Sequence, residues 1–303
     1  MNKAFTYEVR HAVAVGNHLG ESPAWSSEQN TLFWVDILEG SVFAWSPSTQ
    51  ELKTWHSQFV IGSIGLSDDK NLILATNSGL YLYDLKADRF EFINHPESHI
   101  VGNRFNDGKV SPEGRFWFGS MDNRLLKEKT GALYCVDGAF NVRKWGDGLK
   151  VSNGLAWSPD GTRMYHSCTR LGEIYTYTYN INDGSIGPRQ LFAKVDEEWG
   201  RPDGAAVDVA GNYWICGNGK GRINCFNPDG ELLGYISTPV PNPTMPCFGG
   251  PDLKTLYFTT SREGYDAEMN ARHPMAGDVF QVELDVAGVP VGKFSKAKEF
   301  VLG

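Results

Sequence analysis

Apolar and polar residues alternate along the chain in short runs, and turns rich in proline, aspartate and glycine separate these runs. Alternation with a period of two, rich in β-branched and aromatic residues, predicts strands rather than helices. Six segments share one order: an apolar strand, a turn, and a second strand that carries a large apolar or aromatic residue. They read PAWSSEQNTLFWVD, IGLSDDKNLILAT, GKVSPEGRFWFGS, LAWSPDGTRMYHS, AAVDVAGNYWICG and CFGGPDLKTLYFTT.

The large residues of the second strands recur about every 40 to 49 residues, at Trp34, Leu74, Trp117, Tyr165, Trp214 and Tyr257. That period is typical of four-stranded propeller blades, and two more strand-like runs follow in most units. We therefore predict an all-β fold, a single six-bladed β-propeller over residues 1–303 with four-stranded blades around a central channel. A short helical turn is expected only between Ser261 and Gly277.

The ring of blades must close between the two ends of the chain. Either the N-terminal run TYEVRHAV or the C-terminal run SKAKEFV could supply the last strand of the last blade. The sequence pattern does not choose between them.

Polar residues precede the first strand of several repeats, at Glu21, Arg104, Asn106, Asn153 and Asp203. Because the first strand of each blade lines the channel of a propeller, we expect these side chains to meet at one end of it. Two carboxylates and an amide oxygen at Glu21, Asn153 and Asp203 suit a hard divalent cation such as Ca²⁺, Mg²⁺ or Mn²⁺, and Zn²⁺ also accepts carboxylates.

Each of these residues also has a plain structural interpretation. Asp203 in RPDG could form a turn, Asn153 in SNG could be a turn residue that tolerates a left-handed conformation, and Glu21 could pair with Arg104 alone. Asp107, in NDG, is expected to bond backbone amides rather than to act in chemistry.

Charge and composition narrow the choice of partners. The formal net charge of −8 at pH 7 makes nucleic acid and anionic membranes poor partners, and no apolar run of about 18 residues is present. Five cysteines, an odd number in a long chain, argue against a disulfide framework. We expect a cytoplasmic protein that is a monomer or a small homo-oligomer.

The ordered motifs GESPAW, RFNDGKVSPEGRFWFGSM, SNGLAWSPDG, RPDGAAVD and CFGGPDLKTLYFTT resemble the gluconolactonase / regucalcin (senescence marker protein) / luciferin-regenerating enzyme family. The resemblance implies a propeller with one divalent metal ion and, in many members, hydrolysis of sugar lactones. It implies that Glu21, Asn153 and Asp203 hold the metal, that Asp203 is also the catalytic base, and that Arg104 and Asn106 contact substrate.

The chain departs from the family pattern at a few positions. Met121, Asp122, Asn123 and Arg124 stand where sugar lactonases often carry a carboxylate pair, so that contact is expected to be replaced or shifted. Cys168 and Ala156 each replace an aspartate that is common in the family. These changes leave the predicted metal ligands intact and bear on the identity of the substrate.

The sequence thus predicts a metal-dependent hydrolase that opens a sugar lactone to the sugar acid. The loops from Asp122 to Thr130 and from Ser261 to Gly277 are expected to select the lactone. The alternatives are a calcium-dependent esterase or phosphotriesterase-like propeller and a calcium-binding protein without catalysis.

Overall fold

The computed structural model describes residues 3–124 and 128–297, and these residues form six four-stranded antiparallel sheets. Blades 1 to 3 comprise β2 (Gly20–Ser26), β3 (Thr31–Asp36), β4 (Ser41–Trp45), β5 (Leu52–His56), β6 (Ile61–Leu66), β7 (Leu72–Thr76), β8 (Gly79–Asp84), β9 (Arg89–Asn94), β10 (Asn103–Val110), β11 (Phe116–Asp122), β12 (Gly131–Val136) and β13 (Val142–Leu149). Blades 4 to 6 comprise β14 (Ser152–Trp157), β15 (Arg163–Cys168), β16 (Glu173–Thr178), β17 (Gln190–Lys194), β18 (Arg201–Val207), β19 (Tyr213–Asn218), β20 (Arg222–Phe226), β21 (Leu232–Ser237), β22 (Pro243–Gly249), β23 (Thr255–Thr260), β24 (Val279–Glu283) and β1 (Val9–Val13).

The first strands of the blades stand side by side around a closed ring. Strand β2 contacts β6, β6 contacts β10, and the series continues through β14, β18 and β22, which returns to β2. The predicted all-β, six-bladed propeller is therefore confirmed.

The N-terminal strand closes the ring. Strand β1 pairs with β24 as the outermost strand of blade 6, with Val9 opposite Val282 and Val13 opposite Val279. Residues 295–297 of the C-terminal candidate bond instead to blade 3, and residues 298–301 lie outside the described residues. The structure thus resolves a choice that the sequence left open.

The core consists of six apolar clusters, one in each wedge between neighbouring blades. The repeating large residues of the second strands all belong to these clusters, and Trp34, Leu74 and Trp117 have no exposed surface. Burial of these side chains supplies a large share of the stabilisation that holds neighbouring blades together. All five cysteines are buried free thiols, as the sequence predicted.

A β-bulge interrupts the first strand of every blade, close to the same height along the channel. The register shifts lie between Glu21 and Ala24 in blade 1, between Phe105 and Gly108 in blade 3, and between Asn153 and Ala156 in blade 4. The other blades shift at the corresponding place. Because a bulge bends the strand and re-aims its side chains, it can turn polar groups toward the axis.

A C-terminal strap, residues 287–297, crosses the end of the channel that lies opposite these bulges. It receives a hydrogen bond from Val209 N at Ala287 O and donates one from Val289 N to Val207 O, both 2.9 Å long. It then crosses to Leu66 in blade 2 and Gly114 in blade 3. The strap closes one end, so the channel opens toward the bulges.

Helical structure among the described residues is confined to two short pieces, the predicted one at Ala267–Arg272 (α1) and a 3₁₀ turn at Glu197–Trp199 that the sequence pattern did not predict. The side chain of Asp196 caps the 3₁₀ turn by accepting a hydrogen bond from Glu198 N at 2.9 Å. Neither piece approaches the length or apolar character that crossing a bilayer requires.

Closure by β1 makes a testable prediction about stability. Val13 is buried against the blade 6–blade 1 wedge, whereas Arg10 on the same strand is exposed. We expect Val13→Asp to lower the free energy of unfolding by about 3 kcal/mol, because it buries a carboxylate without a partner. Urea unfolding followed by tryptophan fluorescence measures it. Arg10→Asp is the matched control, and an equal loss in both variants would contradict the role of this strand.

Candidate active site

A pocket of about 160 Å³ opens at the bulged end of the channel. Its walls include all five predicted site residues, Glu21, Arg104, Asn106, Asn153 and Asp203. The structure therefore brings together side chains from blades 1, 3, 4 and 5. The volume is smaller than the roughly 300–1,000 Å³ of pockets that hold drug-sized ligands, which favours a ligand of about one sugar ring.

Glu21 and Asp203 are buried without a cationic partner. Among the described residues, no Lys, Arg or His nitrogen lies within 4.0 Å of either carboxylate. Glu21 accepts a hydrogen bond from Ser22 N at 2.9 Å, and the two carboxyl groups are close enough to share a hydrogen bond. The interpretation of Glu21 as the partner of Arg104 alone is wrong.

Burial raises the pKa of both carboxyl groups. For Glu21 the desolvation effect is largest, and the charges of Asp203 and Asp107 raise the pKa further. For Asp203 desolvation again comes first, followed by the charge of Asp107, while Arg201 opposes the shift. Without a cation, two carboxylates at this place repel each other and lose their hydration.

Asn153 is held in one orientation by its neighbours. Its Nδ2 donates to Thr169 Oγ1 at 2.7 Å, and its Oδ1 accepts from Asn106 Nδ2 at 3.3 Å. The left-handed residue of the SNG motif is Gly154, with φ +70°, where a Cβ atom would lie 2.5 Å from Tyr213 Oη. Asn153 is therefore not the left-handed turn residue of the alternative interpretation.

Asp203 does not serve as a turn former either. It lies within the bulge of β18, and its side chain accepts no hydrogen bond from a backbone N–H of the described chain. Asp107 behaves as the sequence predicted, because its Oδ2 accepts from Leu155 N at 3.1 Å. That amide belongs to the neighbouring blade, so Asp107 joins blades 3 and 4.

Arg104 is fixed by three hydrogen bonds. Its Nε donates to Asn123 Oδ1 at 3.0 Å, and its Nη1 donates to Phe105 O at 2.9 Å and to Asn106 Oδ1 at 2.7 Å. Burial lowers the pKa of Arg104 to about 10, so the guanidinium is still charged at neutral pH. Asn106 connects this cation to the amide of Asn153.

The segment from Met121 to Arg124, which departs from the family pattern, supports the structure around the pocket. Asp122 is buried and accepts a hydrogen bond from Arg124 N at 3.1 Å, while Asn123 orients Arg104. A carboxylate reaches the pocket from another loop, at Glu263 after β23. Residues 125–127 of the predicted selectivity loop lie outside the described residues.

Several pocket residues were missed in the sequence. Four of them lie at or just after the end of the second strand of a blade rather than before the first: Thr169, Arg170, Asn218 and Glu263. Since the two strands are antiparallel, the end of the second lies beside the start of the first. That topological rule could have found them once the repeats were aligned. Cys168 and Ala156, the other departures, are buried in the blade wedges.

The three predicted ligands suit a divalent cation by their chemistry. Two buried carboxylates without a counter-charge and one amide oxygen provide hard oxygen donors, and a bound cation would remove the repulsion between the carboxylates. Among the described residues, no cluster of three or more His, Cys, Asp or Glu side chains is placed to bind a metal. The set at Glu21, Asn153 and Asp203 contains only two carboxylates and therefore lies outside that count.

A larger groove of about 570 Å³ lies between blades 1 and 2 at the opposite face. Its walls carry surface groups such as Glu51 and Lys70 on the turns between strands and Lys53 on β5. It lacks the buried, converging polar side chains of the channel pocket, so size alone does not make it the functional site.

Comparison with known proteins identifies the family and supports the fold. The family model described as SMP-30/Gluconolactonase/LRE-like region matches residues 19–262. A 6-deoxy-6-sulfogluconolactonase of Pseudomonas putida is 39% identical over 271 residues, which cover 89% of this chain and 92% of that protein. Regucalcin of Xenopus laevis is 30% identical over 284 residues, 91% of this chain and 95% of the relative. The crystal structure of a calcium-binding protein, regucalcin from Agrobacterium tumefaciens, superposes with a TM-score of 0.92 at 25% identity, covering 97% of this chain and 99% of the other.

A buried histidine beneath the pocket makes stability depend on pH. His166 Nε2 lies 2.8 Å from Ser152 Oγ, next to Asn153 in the chain. Burial, aided by the charge of Arg189, lowers the pKa of His166 to about 3; the ring of Tyr175 also packs near it. The unfolded chain binds this proton below about pH 6.5 and the folded chain does not. The free energy of unfolding should therefore decrease as the pH is lowered from about 6.5 to 3, by about 1.4 kcal/mol for each pH unit.

Urea unfolding at pH 7, 6 and 5 tests the effect. We expect His166→Gln to have a flatter pH profile than the unmodified protein, whatever its stability at pH 7. His99→Gln, which replaces an exposed histidine, is the control and should keep the original slope. Parallel profiles for all three proteins would contradict the assignment.

Proposed function

The chain belongs to the SMP-30/gluconolactonase/LRE-like family, and from that premise we propose that it is a metal-dependent hydrolase of sugar lactones. The observation that carries the proposal is the meeting of Glu21, Asn153 and Asp203 beside Arg104 in a small pocket. The 39% identical relative is named as a lactonase of a sulfonated sugar, which supports the same reaction class.

Glu21, Asn153 and Asp203 are the residues that would hold one divalent ion, Ca²⁺, Zn²⁺, Mn²⁺ or Mg²⁺. Such an ion, when bound, supplies Lewis-acid polarisation of the lactone carbonyl. Thr169 Oγ1 accepts a hydrogen bond from the amide nitrogen of Asn153 and so fixes the orientation of the amide. The amide oxygen is then available as a ligand for the metal ion.

The reaction adds water across the ester bond of the ring. In our proposal, Asp203 accepts a proton from the attacking water as its oxygen bonds to the carbonyl carbon. The attack makes the carbon tetrahedral and leaves negative charge on the former carbonyl oxygen; the carbonyl then re-forms as the bond from that carbon to the ring oxygen breaks. The ring oxygen takes up the proton held by Asp203 to become a hydroxyl group, which returns Asp203 to its ionised form. The product is the open-chain sugar acid.

Arg104 and Asn106 are proposed to position the substrate. The guanidinium of Arg104 is fixed on one side by Asn123, Phe105 and Asn106, so a sugar hydroxyl or the ring oxygen meets a cation that needs little reordering. Water is limited by the burial of the site and by the closed far end of the channel.

A calcium-binding propeller without catalysis is the second candidate. It is favoured by the structural similarity to the Agrobacterium regucalcin, which is named as a calcium-binding protein. A purely structural ion has no need of a buried guanidinium beside it, and Arg104 therefore favours the enzyme. No feature of the described pocket specifically favours an esterase or a phosphotriesterase.

The central prediction concerns metal and base together. Protein stripped of metal should lose saturable hydrolysis of five- and six-membered sugar lactones, and one of Ca²⁺, Mn²⁺, Zn²⁺ or Mg²⁺ should restore it. Asp203→Asn should lower kcat by about 10²-fold or more, because an amide can ligate but cannot accept the proton. A pH-indicator assay measures both, and Asp160→Asn in an exposed turn is the control.

The outcomes separate the candidates. Full activity in Asp203→Asn would contradict its role as base. Metal binding without hydrolysis of any lactone would favour the calcium-binding candidate, and an absence of metal binding would contradict the ligand set.

Thr169 provides a second prediction about the ion. We expect Thr169→Val to weaken metal affinity by about 10-fold, since it removes the hydroxyl that orients Asn153. Thr169→Ser keeps that hydroxyl and should restore the affinity. Isothermal titration calorimetry measures the effect, with Thr54→Val on the exposed strand β5 as the control. Equal affinities in Thr169→Val and Thr169→Ser would show that the hydroxyl does not position the ligand.

A further inference from the structure

Three arginines line the channel pocket, and they come from three different elements. Arg104 lies on β10, Arg170 in the loop after β15, and Arg201 at the start of β18. Within the described chain none of the three has a carboxylate oxygen within 4.0 Å. Elsewhere, arginines such as Arg115 and Arg272 do form ion pairs with nearby glutamates.

The two rim arginines keep their charge available to solvent and ligand. Arg201 Nη2 donates to Asn218 Oδ1 at 2.8 Å, and this neutral acceptor orients the guanidinium without cancelling its charge. Arg170 makes no hydrogen bond and no ion pair with any described residue, and both side chains are exposed. Arg104, by contrast, is buried deeper and bonded to Asn106 and Asn123.

A charge count makes the pocket cationic. Among the described residues, its walls carry three arginines and three carboxylates, the latter at Glu21, Asp203 and Glu263. A divalent ion would offset the charges of Glu21 and Asp203, which leaves three positive charges against the one of Glu263, a net charge of +2. The whole chain carries −8, so this concentration of positive charge is local to the pocket.

A neutral lactone does not need this charge. Amide and hydroxyl groups suffice to bind sugar hydroxyls, whereas guanidinium groups are suited to the planar or tetrahedral oxygens of carboxylate, sulfonate and phosphate. Unpaired cations at a pocket mouth also attract anionic ligands from solution.

We propose that Arg170 and Arg201 form an anion subsite, which binds a negatively charged substituent of the lactone away from the reacting carbonyl. The reaction in this proposal rests on the proposed lactonase function. The substrate class rests on the three arginines of the pocket, none of which forms an ion pair with a described carboxylate. The substrate is thus a sugar lactone that carries a carboxylate, sulfonate or phosphate group.

Steady-state kinetics on matched substrates test the subsite. The substrates are D-glucono-1,5-lactone and the same lactone bearing phosphate, carboxylate or sulfonate at carbon 6, and their ranking distinguishes the three anions. We expect kcat/KM to be higher for at least one anionic lactone than for the neutral one, and to fall with added salt for the anionic lactones only.

Variants assign the preference to residues. Arg170→Gln and Arg201→Gln should each lower kcat/KM for the preferred anionic lactone about 10-fold more than for the neutral lactone, because a charge-assisted contact is lost. Arg170→Lys and Arg201→Lys keep the charge and should lose less. Arg89→Gln removes the same charge from the exposed start of strand β9 in blade 2, outside the pocket, and should change neither value.

The preference and the reaction can fail separately. A wild-type protein that prefers the neutral lactone, or variants that lose activity equally on both substrates, would overturn the subsite while the lactonase function stands. If no lactone is hydrolysed, calorimetry with 6-phosphogluconate and gluconate decides instead. Binding of the phosphorylated acid that depends on Arg170 and Arg201 would support the subsite, and equal or absent binding of the two acids would overturn it.

Discussion

The structure depends on one electrostatic conflict, the burial of the Glu21 and Asp203 carboxylates beside each other at the axis. Neither has a cationic side chain in contact among the described residues, and burial raises the pKa of both. In an apolar core such a pair would cost several kcal/mol. In the proposed site this cost would serve a chemical purpose, because oxygen donors that repel each other favour a divalent cation. The same proposal accounts for Arg104, which lies close to the carboxylates but is bonded elsewhere: a direct ion pair would satisfy the carboxylates and would lower any affinity for a metal.

The two carboxylates meet because the first strands of the blades share one bulged geometry. Each inner strand carries a bulge at about the same height, so the fold offers six aimed positions around one axis. Only some positions carry polar donors that face the pocket. Thr244 of blade 6 instead hydrogen bonds to Gly20 O and Thr259, joining the last blade to the first. Asp107 similarly joins blades 3 and 4. The ring is thus held by the same strands that form the site, and the clusters in the wedges keep those strands at fixed distances.

The repeat made most of the fold predictable. A large residue such as Trp34 or Trp117 marks the second strand of its blade because it fills a wedge, and this regularity is visible in the sequence. The site residues on first strands could be predicted for the same reason. Thr169, Asn123 and Glu263 follow no such period, because loops after second strands vary in length. Only the antiparallel rule, which puts the end of a second strand beside the start of the first, could have indicated them. The identity of the closing strand was also beyond the sequence, since both ends offered a strand-like run and the choice depends on which end packs against β24.

The closing strand has a consequence for how the protein is made. Strand β1 is synthesised before the other strands of the propeller, yet its only sheet partner in the described structure is β24, at Val279–Glu283. During synthesis β1 must therefore wait while about 265 residues that separate it from β24 appear, about 13 to 53 seconds at 5–20 residues per second. Throughout that time the nascent chain carries an unpaired edge segment, and five blades can form before it is used. Arg10 and His11, exposed or half-exposed polar residues within this strand, keep the waiting segment from being wholly apolar. Closure of the ring therefore waits until β24, the last strand of the propeller to be synthesised, is available to pair with β1.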